Sequence, residues 1–380
     1  MSTAGKDAGG RADPRIALAH DYLLVMRGAE RSFAAIAGRW PNAPIFTLLY
    51  DEAGTDGRFA GRAIETSPLQ RLGVRQDGFR RLLPLYPWAV GRLHVGPCEV
   101  VLSSSSAFMH GVRAPAGAVH VCYCYTPFRY AWYEQQRALA ETPAALRPVL
   151  RAALAAIRRW DLAASRRVDA YLAISELSRE RIRRYWGREA TIVHPPVETE
   201  RFAPGSPGDA LLVVSEIVRH KRLEVALEAA RRARAPIRVA GAGPDLDALR
   251  AAYPEAEFLG RVSDAELAGL YAEARAVLVP SMEEFGITAV EAQAAGRPVI
   301  AAAAGGALET VIDGVTGRLV TLDDVEAFRA AIEGLDGLGL DPRAAVENAE
   351  RFSVAVFQRR IAEQVELALA RRDGLQTGAA

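Results

Sequence analysis

Lysine is almost missing from this chain: of 47 basic residues among 380, only Lys6 and Lys221 are not arginine. Lys6 lies in a polar stretch ahead of the first apolar run, which leaves the expected folded body one ammonium. A compact ammonium on a flexible stem reaches a phosphate as a point charge where a planar guanidinium does not fit, so Lys221 points to an anion. Cysteine is scarce too. Cys98, Cys122 and Cys124 offer no Cys-x-x-Cys pair, and the six histidines are scattered without His-x-x-x-His spacing. Zinc and dithiol chemistry lack support, and a reduced, cytoplasmic setting is expected. No run approaches the roughly 18 apolar residues of a membrane span, and Met1 to Pro14 is Gly-rich and polar, so neither a span nor an ordinary signal peptide is expected.

What is present is the composition of a globular protein: 50% hydrophobic, 24% charged, 7% aromatic. Disordered and collagenous classes are excluded. At about 150 residues per domain the length gives two or three domains. The net charge of +1 hides a split, with 27 basic against 18 acidic residues up to position 198 and 20 against 28 after it. The basic part suits an anionic partner such as a phosphate, an acidic polymer or a membrane surface, although arginines that merely solvate helix faces would give the same count. The run Gln70 to Leu93, with Arg71, Arg75, Arg80, Arg81 and Arg92 among Leu, Phe and Trp88, has the composition of an interfacial basic segment and equally of a solvated helix pair.

Apolar β-type runs alternate with helical patterns, the signature of βαβ units and a parallel sheet. The runs are 15–19, 45–50, 99–103, 119–123, 170–174 and 191–194, with helices over 28–38, 148–167 and 176–185. The Pro/Gly-rich stretch from His194 to Gly208 reads as a linker. Alternation then restarts with strands at 211–214, 237–240, 257–259, 276–279 and 299–301, and Ser263-Asp264-Ala265-Glu266 is a capping box opening a helix through Tyr271. The domains are therefore set at 1–198 and 199–360, with a helical pattern over 353–372 and a C-terminal helix and tail over 361–380 that is free to cross back to the first domain. Open α/β domains bind ligands beyond the carboxyl ends of their strands, where strand order reverses, which puts the expected site in a cleft between the two.

After the strand at 276–279 comes Pro280-Ser281-Met282-Glu283-Glu284-Phe285-Gly286-Ile287, running into a helical stretch with Glu291. Gly286 lets a ligand approach the backbone, and the opening N–H groups of the helix favour an anion. Glu283 and Glu291 would stand about 12 Å and roughly 80° apart on a continuous helix, too far to share a proton but suited to gripping two parts of one ligand. Equally, Glu283 and Glu284 would serve as charges favourable to the helix N-terminus and Glu291 would be solvated.

The wider segment decides between these readings. With Glu291-Ala292-Gln293-Ala294-Ala295-Gly296-Arg297-Pro298, Gly305-Gly306-Ala307-Leu308-Glu309-Thr310 and Gly314 to Val320, it resembles the family-4 retaining glycosyltransferases of GT-B architecture. The resemblance extends through His20-Asp21-Tyr22-Leu23, Met26-Arg27-Gly28-Ala29-Glu30, Cys122 to Trp132 and His194-Pro195-Pro196-Val197, and is similar there to a mannosyltransferase-like branch of polysaccharide assembly. It implies an α/β fold of two Rossmann-like, doubly wound parallel-sheet domains facing a cleft.

It further implies that Glu291 holds the ribose of a nucleotide sugar and Glu283 contacts the donor sugar, with Lys221 and Arg219 at the reacting phosphate. Backbone at Phe285, Gly286 and Ile287 would meet diphosphate and sugar, Val262 the base, and Gly28 phosphate or acceptor. Tyr125, Arg129 and His20 would face the acceptor. No cofactor or metal is expected, because the cations and the helix terminus supply the positive field. Two positions depart from the family pattern: Glu216, where arginine is usual, and Tyr125, where histidine is common. The implied reaction moves a hexose, first mannose from GDP-mannose, with retention, to a glycan, lipid-linked or small-molecule hydroxyl. Peripheral membrane contact at the inner face is allowed for, and no nucleic acid is expected. The alternatives are a UDP- or dTDP-sugar transferase of a natural product and a non-catalytic nucleotide-sugar-binding partner. An oxidoreductase is disfavoured because Gly241-Ala242-Gly243-Pro244 lacks the third glycine of a dinucleotide fingerprint.

Overall fold

The computed structural model describes residues 14–74, 76 and 78–377. Lys6, Arg75 and the polar N-terminal stretch lie outside the described residues. The chain forms two compact units, each with its own parallel sheet.

In the first unit the strands are β1 (Ile16–His20), β2 (Ile45–Thr47), β3 (Ile64–Thr66), β4 (Val100–Ser105), β5 (Val119–Cys124), β6 (Ala170–Ala173) and β7 (Ala190–Ile192), in the order β3-β2-β1-β4-β5-β6-β7. The pairings from β3 through β6 are parallel, and β1, β4 and β5 are buried along their whole length, as continuous runs covered on both faces must be. At the start of the Gly28–Arg39 helix the Glu30 carboxylate accepts the Arg27 backbone N–H at 3.1 Å. On one face of the sheet Ala17, Phe46, Tyr86, Val101 and Phe108 pack into one core.

The second unit carries β8 (Leu211–Val214), β9 (Ile237–Ala240), β10 (Glu257–Gly260), β11 (Ala276–Val279), β12 (Val299–Ala302) and β13 (Gly317–Val320), all parallel, in the order β10-β9-β8-β11-β12-β13. Strand order reverses between β8 and β11. The Ser263 capping box opens the Asp264–Glu273 helix as the sequence pattern predicts.

Several expectations shift. The edge strands β3 and β13 are not anticipated, because three or four half-exposed residues with Glu65, Gly317 or Arg318 among them carry no apolar run. The chain passes into the second unit at Ile192 rather than after position 198: Val197 donates its N–H to the Phe352 carbonyl at 2.8 Å and so belongs with the second body. The short turn Ile174–Leu177 also groups with the second unit. The terminal helix is Val354–Thr377, and from Arg360 onward it groups with the first unit, where Arg372 donates to the Gly117 carbonyl at 2.8 Å. The segment whose composition fitted an interfacial basic segment and a solvated helix pair equally forms short 3-10 turns, Pro68–Leu72 and Phe79–Leu85, and one helical turn, Tyr86–Val90, which bury Leu69 and Tyr86 and leave Leu72, Leu85 and Trp88 exposed. Among the described residues no helix is long and apolar enough to cross a membrane.

Candidate functional site

The reversal of strand order in the second unit sends the loops after β8 and β11 apart and leaves a hollow between them. A cavity of about 230 Å³ opens there, its polar lining made by Ser215, Glu216, Lys221, Ser281, Glu283 and Thr288. Lys221 ends a 3-10 turn, Arg219–Lys221, and its Nζ donates to both oxygens of Glu283, at 2.9 Å (Oε1) and 2.7 Å (Oε2). Ser281 Oγ adds a third donor to Glu283 Oε1 at 2.6 Å. Both partners of the ion pair are about three-quarters covered, with the remainder open to water.

The Glu283 loop is built to tight tolerance. Glu283 pairs as an isolated bridge with Gly305, and a Cβ at Gly305 (φ 57°) would collide with the Glu283 carbonyl; one at Gly306 would collide with the Phe285 carbonyl. Gly286 (φ 91°, ψ 55°) then turns the chain into the Ile287–Ala294 helix, a left-handed conformation that favours glycine. Glu283 therefore precedes the helix, and the continuous-helix geometry expected for Glu283 and Glu291 does not occur. Glu291 sits in the helix, where its Oε2 accepts from the Tyr271 hydroxyl at 2.8 Å. Burial, reinforced by that carboxylate, pushes the Tyr271 phenol well above its usual range, so it remains the donor.

Of the residues expected at the phosphate, Lys221 and Glu283 come together and Arg219 does not: it is exposed and not among the cavity-lining residues, because the turn that points Lys221 inward turns Arg219 out. Val262 is half-buried in the loop after β10 and also outside the lining. Phe285 is buried against His194 and Phe352 and lies outside the lining. Ile287 is half-buried at the helix start. Ser281, Ser215 and Thr288 were missed; the one signal for Ser281 was its place directly after a buried strand. An Asp-x-Asp triplet, Asp245-Leu246-Asp247, opens the Leu246–Ala252 helix away from the lining, and among the described residues no cluster of three or more His, Cys, Asp or Glu could hold a metal.

Gly28, His20, Tyr125 and Arg129 belong to the first unit. His20 and Tyr125 are buried and hydrogen-bonded within that unit. His20 is 1% exposed, stacks on Phe33 at 4.7 Å, and shares a 3.1 Å hydrogen bond with Ser104 Oγ; burial lowers its pKa to about 3. Ser104 Oγ in turn lies 3.0 Å from the Tyr125 hydroxyl, which donates to the Ala29 carbonyl at 2.8 Å. This buried chain ties β1, β4 and β5 to the Gly28–Arg39 helix. Next to it, Asp21 accepts the backbone N–H groups of Ser106, Ala107, Phe108 and Met109 at 2.5–2.9 Å, holding the turn after β4. Glu30, in the first turn of the helix, has its pKa raised by burial to about 7. Gly28 begins that helix, and Arg129 is exposed at the start of a short turn.

With this geometry in view, the likeness to known proteins is specific. Residues 208–335 match the family described as Glycosyl transferases group 1. That stretch holds β8 through β13, the cavity, Lys221 and both glutamates. The chain is similar to D-inositol 3-phosphate glycosyltransferase of Mycobacterium marinum (strain ATCC BAA-535 / M), 34% identical over 43% of this chain and 41% of that protein. It is likewise similar to the enzyme of the same name from Frankia alni, 37% identical over 38% of this chain and 44% of that one. The chain thus spans less than half the length of these curated relatives. Among solved structures it is similar to sucrose-phosphate synthase of Thermosynechococcus elongatus (TM-score 0.72, 18% identity, 94% of this chain and 99% of that one) and to Anabaena Alr3699/HepE in complex with UDP (TM-score 0.68, 18% identity, 93% and 99%). The fold is GT-B: two Rossmann-like domains, with sheets of seven and six strands.

Proposed function

We propose that this chain is a glycosyltransferase that holds a nucleotide sugar in the cavity of its second unit and transfers a hexosyl group to a hydroxyl acceptor. The observation that carries the proposal is the convergence of Lys221 and Glu283 at the carboxyl ends of β8 and β11, one residue pair from the amino end of a glycine-led helix. A cation and free backbone N–H groups beside a carboxylate suit a diphosphate joined to a sugar: Lys221 and the Gly286–Ile287 amides face the charge that develops on the departing phosphate, and Glu283 accepts sugar hydroxyls. Glu291, which accepts from the Tyr271 hydroxyl and lies outside the cavity lining, is the residue we assign to the ribose. We assign retention on the family resemblance and, as no paired nucleophile is evident, a route in which the departing phosphate takes the acceptor proton, with no metal taking part and mannose from GDP-mannose as first donor. The basic composition of the first 198 residues favours an acceptor that is phosphorylated or held at an anionic lipid surface.

The test is a panel of GDP-mannose, UDP-glucose and dTDP-glucose, with and without D-inositol 3-phosphate and with EDTA, followed by thermal shift and release of nucleoside diphosphate. Stabilisation and turnover with one donor, unaffected by EDTA, is the expected result. Binding without turnover across acceptors would favour a non-catalytic nucleotide-sugar-binding partner.

A further inference from the structure

The cavity carries more negative charge than a diphosphate site needs. Lys221 and Glu283 neutralise one another at 2.7 Å, which leaves the charge of Glu216 over. Glu216 is exposed on the cavity lining, and its carboxylate has no hydrogen-bond or ion-pair partner among the described residues. Its backbone is fixed. Ser215 N–H donates to the Ala240 carbonyl (3.1 Å), Ile217 N–H to the Ala242 carbonyl (3.0 Å), and Ile217 is fully buried. A Cβ at Gly241 (φ 148°) would strike the Ser215 carbonyl, and one at Gly243 the Ile217 carbonyl. The partial glycine fingerprint is therefore a clamp: only glycine lets the 241–243 turn lie against 215–217 and hold Glu216 at the rim.

We propose that Glu216 is a product-release residue, whose charge weakens the cavity's hold on a nucleoside diphosphate more than its hold on a nucleotide sugar. The inference rests on the function proposed above. In the donor both phosphates are esterified and carry about two charges together. When the sugar carbon–oxygen bond breaks, its electron pair stays on the phosphate, the acceptor oxygen bonds to the sugar carbon, and the acceptor proton passes to the departing phosphate and from it to solvent; the released product then carries close to three charges. At about 10 Å and an effective dielectric near 60, each like-charge pair shifts an equilibrium by roughly 2.5-fold. Three charges then cost about fifteenfold and two about sixfold.

The experiment is calorimetric titration of the full chain and of Glu216→Gln and Glu216→Arg with UDP, UDP-glucose, GDP and GDP-mannose, with melting curves to confirm folding. Expected for Glu216→Gln is about fifteenfold tighter product binding against about sixfold for the matching donor, with a wider gap for Glu216→Arg and a collapse of both gaps at high salt. Equal tightening of donor and product, no change, or weaker binding in Glu216→Gln overturns the inference while leaving the nucleotide-sugar site standing. Failure of the unmodified chain to bind any of the four ligands overturns the proposed function itself, and this inference with it.

Discussion

Lys221→Ala separates what the ion pair does for the fold from what the ammonium does for a reaction. The pair is partly covered, with side chains 24% and 22% exposed, and such pairs contribute about 1 kcal/mol or less to stability. Glu283 is not stranded when the lysine goes, because Ser281 Oγ still donates to it at 2.6 Å and the remaining exposure admits water. The melting temperature of the variant should therefore fall by only about 2–4 °C for a body of this size. The expected loss in rate is far larger. An ammonium aimed at charge developing on a departing phosphate contributes about 100-fold to 1,000-fold, or roughly 3–4 kcal/mol of barrier. The assay pairs a thermal melt with nucleoside diphosphate release at saturating donor, the donor being the one the panel selects. Turnover within about threefold of the unmodified protein would refute the assigned role. A melting point depressed by 10 °C or more would instead show that Lys221 acts on the fold.

Three further outcomes test the surroundings. Gly305→Ala forces a left-handed residue and a Cβ against the Glu283 carbonyl, so it should cost roughly 3 kcal/mol in chemical denaturation and abolish nucleotide binding by displacing the loop. Tyr125→Phe removes a buried hydroxyl that serves Ser104 and the Ala29 carbonyl; it should cost about 1–2 kcal/mol while leaving acceptor KM unchanged, and a raised KM with intact stability would return Tyr125 to the acceptor. Asp161 is buried between the indole N–H groups of Trp132 (2.7 Å) and Trp186 (2.6 Å), and burial raises its pKa to about 7 from 3.8. A carboxyl raised on folding favours the folded state fully below its unfolded pKa, and that support is lost as pH rises from about 4 to about 7. Relative to the unmodified protein, Asp161→Asn should become more stable by a few kcal/mol across that window and show a constant difference above it; a difference that does not change with pH refutes the shift.

How much was legible depends on whether the signal was local. Buried parallel strands such as Val100–Ser105 and Ala276–Val279 announce themselves because both faces are covered, whereas Ile64–Thr66 and Gly317–Val320, at sheet edges with exposed polar residues, form strands only because a neighbour offers them a ladder. The capping box at Ser263 was readable for the same local reason: four residues satisfy their own backbone groups. The scarcity of lysine and the spacing of Glu283 and Glu291 single out three residues, and Lys221 and Glu283 do meet, 62 positions apart in the chain. Sequence alone thus determined the alternation of strands and helices, the position of the glycine-led helix and the singling out of Lys221, the one lysine among the described residues, since each follows from short-range periodicity or from residue chemistry. Which way a side chain turns is another matter. That Arg219 faces out while Lys221 faces in, that His20 and Tyr125 are spent on each other through Ser104, and that Gly241 and Gly243 press Glu216 onto the rim were decided by tertiary packing, because each depends on a strand or turn distant in sequence and brought near only by the order of the sheet.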